Sequence, residues 1–127
     1  MKRDMDLIRS LLLYSEENCK PLHGVYFKFS EYCWEGDIEE LKRHIYLLEG
    51  EALLEEGLPS SEDDIGLGNL TWAGYNFLDS VRDPKIWRET QDIAKNAGGF
   101  TFELLAEIAK GLIKTKIMKH TGVELQS

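Results

Sequence analysis

Between residues 37 and 82 the spacing of apolar side chains changes from helical to alternating and back to helical. The first part predicts a helix over residues 37–51, with Asp37 at its N-cap. Its apolar positions recur three or four residues apart: Ile38, Leu41, Ile45 and Leu48. The runs ALLEEGLPSS (52–61) and IGLGNLT (65–71) predict two strands joined by an acidic tip.

A second helix follows the returning strand. Thr71 is a favoured N-cap residue type. The positions that share one face of this helix are Gly74, Tyr75, Leu78 and Val81. We expect Trp72 and Leu78 to lie in the core beneath the hairpin. A helix, a two-stranded wing and a helix that opens with the pattern LTxxG form the core of a winged-helix domain.

The N-terminal part of the chain predicts one more helix and one more strand. Residues 4–17 have helical spacing with Asp4 at the N-cap, and GVYFKF (24–29) alternates as an edge strand, the third of the same sheet. Its aromatic residues are expected to pack in the core and on the sheet. The seven residues SEYCWEG that follow leave room for one helical turn, where a helix-turn-helix has a full helix.

Two helices close the chain. Asp83–Pro84 is a helix start, Gly98–Gly99 ends that helix, and Thr101 caps the last one. The fold class is therefore α+β: a winged-helix domain with a small antiparallel sheet and two additional C-terminal helices. We expect a single domain over residues 1–120 and a frayed tail over residues 121–127.

Composition restricts the compartment and the cofactors. The chain has 127 residues, of which 43% are hydrophobic, and no apolar run approaches the length of a membrane span. The start MKRDMD lacks the features of a secretory signal, so we expect a soluble cytoplasmic protein. Cys19 and Cys33 match no metal-binding spacing and are expected to be reduced thiols. No metal and no cofactor are predicted.

No set of residues predicts catalysis. His44 shares a helical face with Leu41, Ile45 and Leu48, so a packed histidine bonded to a backbone carbonyl is favoured over a general base. His23 and His120 have no catalytic partner in the sequence pattern. The acidic pairs occupy predicted helix faces and loop tips rather than a cleft. We expect a protein that is not an enzyme.

The opening MKRDMDLIR, the central RHIYLL and the run NLTWAGYNFLDSVRD resemble the domain of unknown function 2513 family. The resemblance covers residues 1 to about 112 and includes GGFTFELLAEIAKGL near the end. The resemblance implies a winged-helix fold. Because that family is met mostly in bacteriophages and prophages, it also implies a location in the cytoplasm of a host cell. It implies no catalytic residue. After the helix, this chain has GEALLEEG where the family tends to have a Gly-Leu-Ile strand start.

The distribution of charge favours a protein partner over DNA. Residues 1–81 carry 17 acidic and 7 basic side chains, a net charge of −10, whereas residues 82–120 carry a net charge of +3. Helix 37–51 carries −3 and the acidic side chains of the hairpin add −5, although a DNA-binding winged helix presents these elements to phosphates. We therefore expect a protein partner, such as a host or phage protein of a defence or nucleic-acid-handling system that this chain inhibits. The alternative is a dimeric DNA-binding transcriptional regulator.

The predicted partner-binding residues lie on helix 37–51 and on the hairpin: Glu39, Glu40, Lys42, Arg43, Tyr46, Glu55, Glu56, Glu62, Asp63 and Asp64. The last helix predicts a second contact. Ile113, Ile117 and Met118 depart from its apolar stripe and leave apolar surface facing outward. We expect a homodimer through residues 101–118.

Overall fold

The computed structural model describes residues 1–122 and has the mixed α+β composition that the sequence predicts. The described residues form five helices, two strands and one 3₁₀ turn. In chain order these are α1 (Met5–Asn18), β1 (Val25–Lys28), the 3₁₀ turn (Phe29–Glu31), α2 (Ile38–Gly50), β2 (Asp64–Leu67), α3 (Trp72–Val81), α4 (Pro84–Ala97) and α5 (Phe102–Thr121). Of the predicted frayed tail, Thr121 ends α5 and Gly122 caps it. Residues 123–127 lie outside the described residues.

The predicted N-caps are confirmed. The Asp4 carboxylate accepts a hydrogen bond from the Leu7 amide at 3.0 Å, and the Asp37 carboxylate accepts one from the Glu40 amide at 2.9 Å. Asp83 and Thr101 cap α4 and α5 in the same way. Each cap satisfies amides of the first turn, which explains why these helices begin where they do.

The sheet differs from the predicted three strands. β1 and β2 pair antiparallel, with Val25 opposite Leu67 and Lys28 opposite Asp64. The run 52–61 forms no strand. It pairs with the returning segment at the isolated bridge between Leu54 and Leu70 and through two backbone hydrogen bonds, which the Glu55 amide donates to the Asn69 carbonyl at 2.8 Å and the Ser61 amide to the Asp64 carbonyl at 2.9 Å. The prediction of a strand there was wrong.

The hairpin arm, residues 52–61, runs alongside the returning strand at close range without forming a regular ladder. A Cβ atom on Gly66 would overlap the carbonyl oxygen of Leu58, and one on Gly68 would overlap that of Glu55. Only glycine permits such an approach between two backbones. Pro59 also lacks the N–H that a regular ladder requires.

The chain divides into two compact units, Met1–Asn76 and Phe77–Ser127. In the first, α1, α2 and the hairpin bury an aliphatic core, whose fully buried members include Ile8, Leu11, Leu41, Leu48, Leu54 and Ile65. In the second, α4 packs on α5, and the rings of Phe77 and Phe102 meet edge to face with centroids 5.1 Å apart. The single domain over residues 1–120 stays a prediction.

The two core positions predicted in α3 have different outcomes. Leu78 is fully buried, as predicted, but Trp72 is 82% exposed. Trp72 lies two residues before the buried Gly74, which is about 200° around the helix and so on the opposite side. The prediction for Trp72 was therefore wrong.

Among residues 1–122, no helix is both long enough and apolar enough to cross a membrane.

Candidate functional site

A groove of about 430 Å³ in the first unit runs between α2 and the hairpin arm. We call residues 55–60 of that arm the ridge. The α2 wall is built by Glu39, Lys42, Arg43, Ile45, Tyr46 and Glu49. The opposite wall is built by Glu56, Gly57, Leu58, Pro59, Ser60 and Gly66.

Helical periodicity places the α2 wall. Leu41 and Leu48 are fully buried, so the residues on the flank of that face project beside the core. The Arg43 guanidinium lies 5.4 Å from the centroid of the Tyr46 ring, a cation–π distance. Lys42 Nζ lies 4.0 Å from Glu39 Oε1. The wall therefore presents an aromatic ring between charges of both signs.

Hydrogen bonds to α2, β1 and β2 are among those that hold the ridge in place. The Gly57 amide donates to Glu49 Oε2 of α2 at 2.9 Å, and the Tyr26 hydroxyl donates to the Pro59 carbonyl at 3.1 Å. The Gly66 amide donates to Ser60 Oγ at 3.0 Å. Because the backbone is fixed from both sides, Leu58 remains 47% exposed at the crest.

A second groove of about 200 Å³ lies on the other side of the ridge. Glu56, Gly57 and Leu58 line both grooves. Glu55 and the 92%-exposed Leu22 line only the second. The ridge is thus a narrow apolar crest with acidic side chains beside it.

The acidic tip of the hairpin is occupied by contacts within the chain. The Asp63 carboxylate accepts hydrogen bonds from the Ser30 amide at 3.1 Å and the Ser30 hydroxyl at 2.9 Å. Lys28 Nζ lies 3.2 Å from Asp64 Oδ1, and this hydrogen bond and its charge raise the pKa of Lys28 above 10.5. These carboxylates fasten the tip to the 3₁₀ turn and to β1.

Of the ten predicted binding residues, five meet at the first groove: Glu39, Lys42, Arg43, Tyr46 and Glu56. Glu55 lies at the second groove instead. Glu40, Glu62, Asp63 and Asp64 line neither groove. Sequence reasoning missed Leu58, Pro59 and Ser60, although a proline inside a predicted strand is a signal that the strand is interrupted.

His44 is a packed histidine bonded to a backbone carbonyl, as predicted. It is fully buried, and its Nε2 accepts a hydrogen bond from the Asp4 amide at 2.8 Å. Nδ1 lies 2.7 Å from the Glu40 carbonyl oxygen and therefore carries the proton and donates it there. The Asp4 carboxylate also accepts a hydrogen bond from Trp34 Nε1 at 3.0 Å. Nε2 of His44 thus joins the N-cap of α1 to α2, whereas Nδ1 bonds within α2.

The thiols lie apart from the grooves. Cys19 is half-buried and donates to the Leu67 and Gly68 carbonyls at 3.5 Å, whereas Cys33 is exposed. Within residues 1–122, no group of three or more His, Cys, Asp and Glu side chains is arranged to hold a metal ion.

The model of the family described as hypothetical protein (DUF2513) matches residues 2–100 of the chain. The protein belongs to the DUF2513 family. The match spans α1 to α4 and so includes both grooves. The family resemblance drawn from the sequence is confirmed.

This DUF2513 protein is also similar to a protein of Haemophilus influenzae that carries the description uncharacterized protein. The two are 28% identical over 117 residues, which cover 89% of this chain and 96% of the relative. No solved structure matches the chain.

Proposed function

We propose that this DUF2513 protein is a non-catalytic interaction protein that binds a protein partner across the groove between α2 and the ridge. The partner segment is apolar and basic. In this proposal the protein is of phage or prophage type, acts in the host cytoplasm, and inhibits a system that handles nucleic acid by occupying a basic surface of it.

One observation carries the proposal: two large apolar side chains face water on opposite walls of one groove. Tyr46 is 62% exposed on α2, and Leu58 is 47% exposed on the ridge. Exposed aromatic and aliphatic side chains beside a preformed cleft are the usual anchors of a protein interface. A partner side chain inserted between them gains apolar contact on both faces.

The charge around these anchors supports a basic partner. Three carboxylates line the groove, Glu39, Glu49 and Glu56, against the two cations Lys42 and Arg43. The first 81 residues carry a net charge of −10, so the field around the groove attracts cationic segments and repels phosphates.

The order of elements supports a winged-helix relationship. Helix α2 is followed by a hairpin arm, by the returning strand β2 and by α3, with β1 beside β2. In this proposal, α2 corresponds to the recognition helix and the hairpin to the wing. The groove then lies between the two elements with which such domains contact their partners.

A pull-down from host lysate, with and without nuclease, tests the proposal. The variant Tyr46→Ala/Leu58→Ala is expected to lose the partner. The matched control Tyr75→Ala/Ile93→Ala, which truncates one exposed aromatic and one exposed aliphatic side chain outside the groove, is expected to keep it. Capture that both variants retain, or that nuclease abolishes, would contradict the proposal.

A charge reversal tests the chemistry of the partner. Glu39→Lys/Glu56→Lys is expected to weaken binding of a basic segment, mainly through slower association. Stronger binding in that variant would indicate an acidic partner.

The alternative, a DNA-binding regulator, is supported by Lys42 and Arg43, which both line the groove on α2. Two phosphate contacts are far below the roughly 6–10 contacts of a strong DNA binder. We expect no gel shift with generic duplex DNA at physiological salt. Binding that depends steeply on salt and disappears in Arg43→Ala would favour the regulator.

A further inference from the structure

Five positions of α5 lie on one line along the helix, separated by four, three, four and three residues. They are Leu104, Ile108, Gly111, Thr115 and Met118, and we call this line the α5 seam. Alternating steps of three and four residues are the spacing with which one helix contacts another along its length. Leu104 and Ile108 are half-buried, whereas the other three are exposed. The seam flanks the buried positions Leu105 and Ala109 and remains open to solvent.

Gly111 lies at the middle of α5, where glycine weakens a helix relative to alanine. Nothing lies within 4 Å of the place that its Cβ would occupy, and its φ is not positive. Neither crowding nor backbone conformation within residues 1–122 therefore requires glycine there. A close approach by the backbone of another molecule does require it.

Thr115 is compatible with burial in a helix contact. Its hydroxyl donates to the Gly111 carbonyl at 3.0 Å, within the same helix. A partner that covers this position therefore leaves no hydroxyl unpaired and contacts the methyl group. The centre of the seam thus offers a glycine and a satisfied threonine.

Charges beside the seam indicate what covers it. Glu103, Glu107, Lys110 and Lys114 form a parallel line along α5 in which the two acids precede the two bases. A second α5 in parallel orientation brings like charges together. An antiparallel α5 centred on Gly111 brings Glu107 near Lys114 of the other copy, twice by symmetry.

We propose that α5 pairs antiparallel with α5 of a second copy of this chain through the α5 seam, with the two-fold axis at Gly111. Ile113 and Ile117, which the sequence analysis assigned to the dimer contact, are half-buried on the other flank of α5 and lie outside the seam. The α5 seam shares no residue with the grooves, so this proposal stands or fails independently of the proposed function.

Sedimentation velocity between about 1 and 100 µM tests the pairing, a range that covers ordinary dimer affinities. The wild-type chain is expected to dimerise. Gly111→Glu is expected to raise the dimer dissociation constant roughly a hundredfold, because it buries two unpaired carboxylates. Asn76→Glu, the same charge change at an exposed site on α3, is expected to leave it unchanged. A wild-type monomer at all concentrations, or an unaffected Gly111→Glu dimer, would overturn the proposal.

Cross-linking tests the orientation. In a Cys33→Ser background, Gly111→Cys is expected to form a disulfide with its twin, because the residue lies on the axis. Met118→Cys is expected not to do so, since its two copies are roughly 20 Å apart in an antiparallel pair. Self-linking at both positions would indicate parallel helices and overturn the proposed geometry.

Charge reversal supplies a test that does not depend on the fold of any one variant. Glu107→Lys and Lys114→Glu are each expected to weaken the dimer roughly tenfold. The double variant is expected to restore it, because the opposite charges then meet again. Failure of the double variant to recover would contradict the antiparallel contact.

Discussion

Gly74 of α3 lies directly against the backbone carbonyl oxygen of Leu53, and a Cβ at Gly74 would overlap that atom. The neighbouring residues complete the contact. The Thr71 hydroxyl accepts a hydrogen bond from the Gly74 amide at 3.0 Å and donates to the Ala52 carbonyl. The Thr71 amide donates to the Leu53 carbonyl at 3.2 Å. The LTxxG pattern therefore fastens the start of α3 to the end of the α2 region.

Gly74→Ala is expected to destabilise the protein by about 1–3 kcal/mol, because the new methyl group displaces a backbone carbonyl. Gly111→Ala is the matched control in the interior of another helix. There the methyl group enters open space, and stability is expected to rise by about 0.5–1 kcal/mol. Urea unfolding at low protein concentration measures both. Equal effects at the two sites would contradict the close approach at Leu53.

Leu78→Ala is expected to cost about 2–5 kcal/mol, because the side chain is fully buried. Trp72→Ala, in the same helix, is expected to change stability by about 0.5 kcal/mol or less, because Trp72 is exposed. Thermal unfolding distinguishes the two. A large loss for Trp72→Ala would show that its ring is buried.

His44→Phe is expected to destabilise the protein by about 1–3 kcal/mol. It keeps a ring in the core but leaves the Asp4 amide without its hydrogen-bond partner and removes the side-chain donor to the Glu40 carbonyl. His23→Ala, at an exposed turn, is the control and is expected to be close to neutral. Nitrogen-15 NMR of His44 is expected to show the proton on Nδ1, and a proton on Nε2 would contradict the described bonds.

Thr90→Val is expected to stabilise the protein by about 1 kcal/mol. The Thr90 hydroxyl is fully buried in α4 and has no hydrogen-bond partner among the described residues. Valine keeps the shape and removes the unpaired group. Calorimetry compares it with wild type and with Thr90→Ser, which keeps the hydroxyl and is not expected to stabilise.

Asp83 makes stability depend on pH in the acid range. The amides of Ile86 and Lys85 donate to its carboxylate and hold its pKa below the ordinary 3.8, and nearby lysines contribute in the same direction. Because the folded pKa is the lower one, this stabilisation is complete above the unfolded pKa and is lost as the pH falls through the folded pKa. Asp83→Asn is expected to lose less stability than wild type between about pH 5 and pH 2. An NMR titration that places the Asp83 pKa at or above 3.8 would contradict this.

Local signals in the sequence were sufficient to predict where the helices begin. Asp4, Asp37, Asp83 and Thr101 were each predicted as caps, and a cap acts on amides only two or three residues away. The burial of His44 also followed from the sequence, because it shares a helical face with three apolar residues.

The sequence was less informative about the candidate site. Helical periodicity placed Lys42, Arg43 and Tyr46 on one accessible flank of α2, but their groove requires the ridge opposite them. The ridge was predicted as part of a strand because the helical spacing of apolar residues ends at Gly50. Gly66 and Gly68 allow a close backbone approach that no residue-by-residue pattern reveals.

By itself, the sequence determined where the helices begin, the α+β class, the family and the uneven distribution of charge. These depend on contacts within a few residues or on composition. The tertiary structure alone decided that the hairpin arm lies against β2 without forming a ladder, that Asp63 and Asp64 are tied to Ser30 and Lys28, and that Trp72 faces water. Those outcomes depend on which distant backbone segments approach each other, and that is set by packing between elements rather than by any local preference.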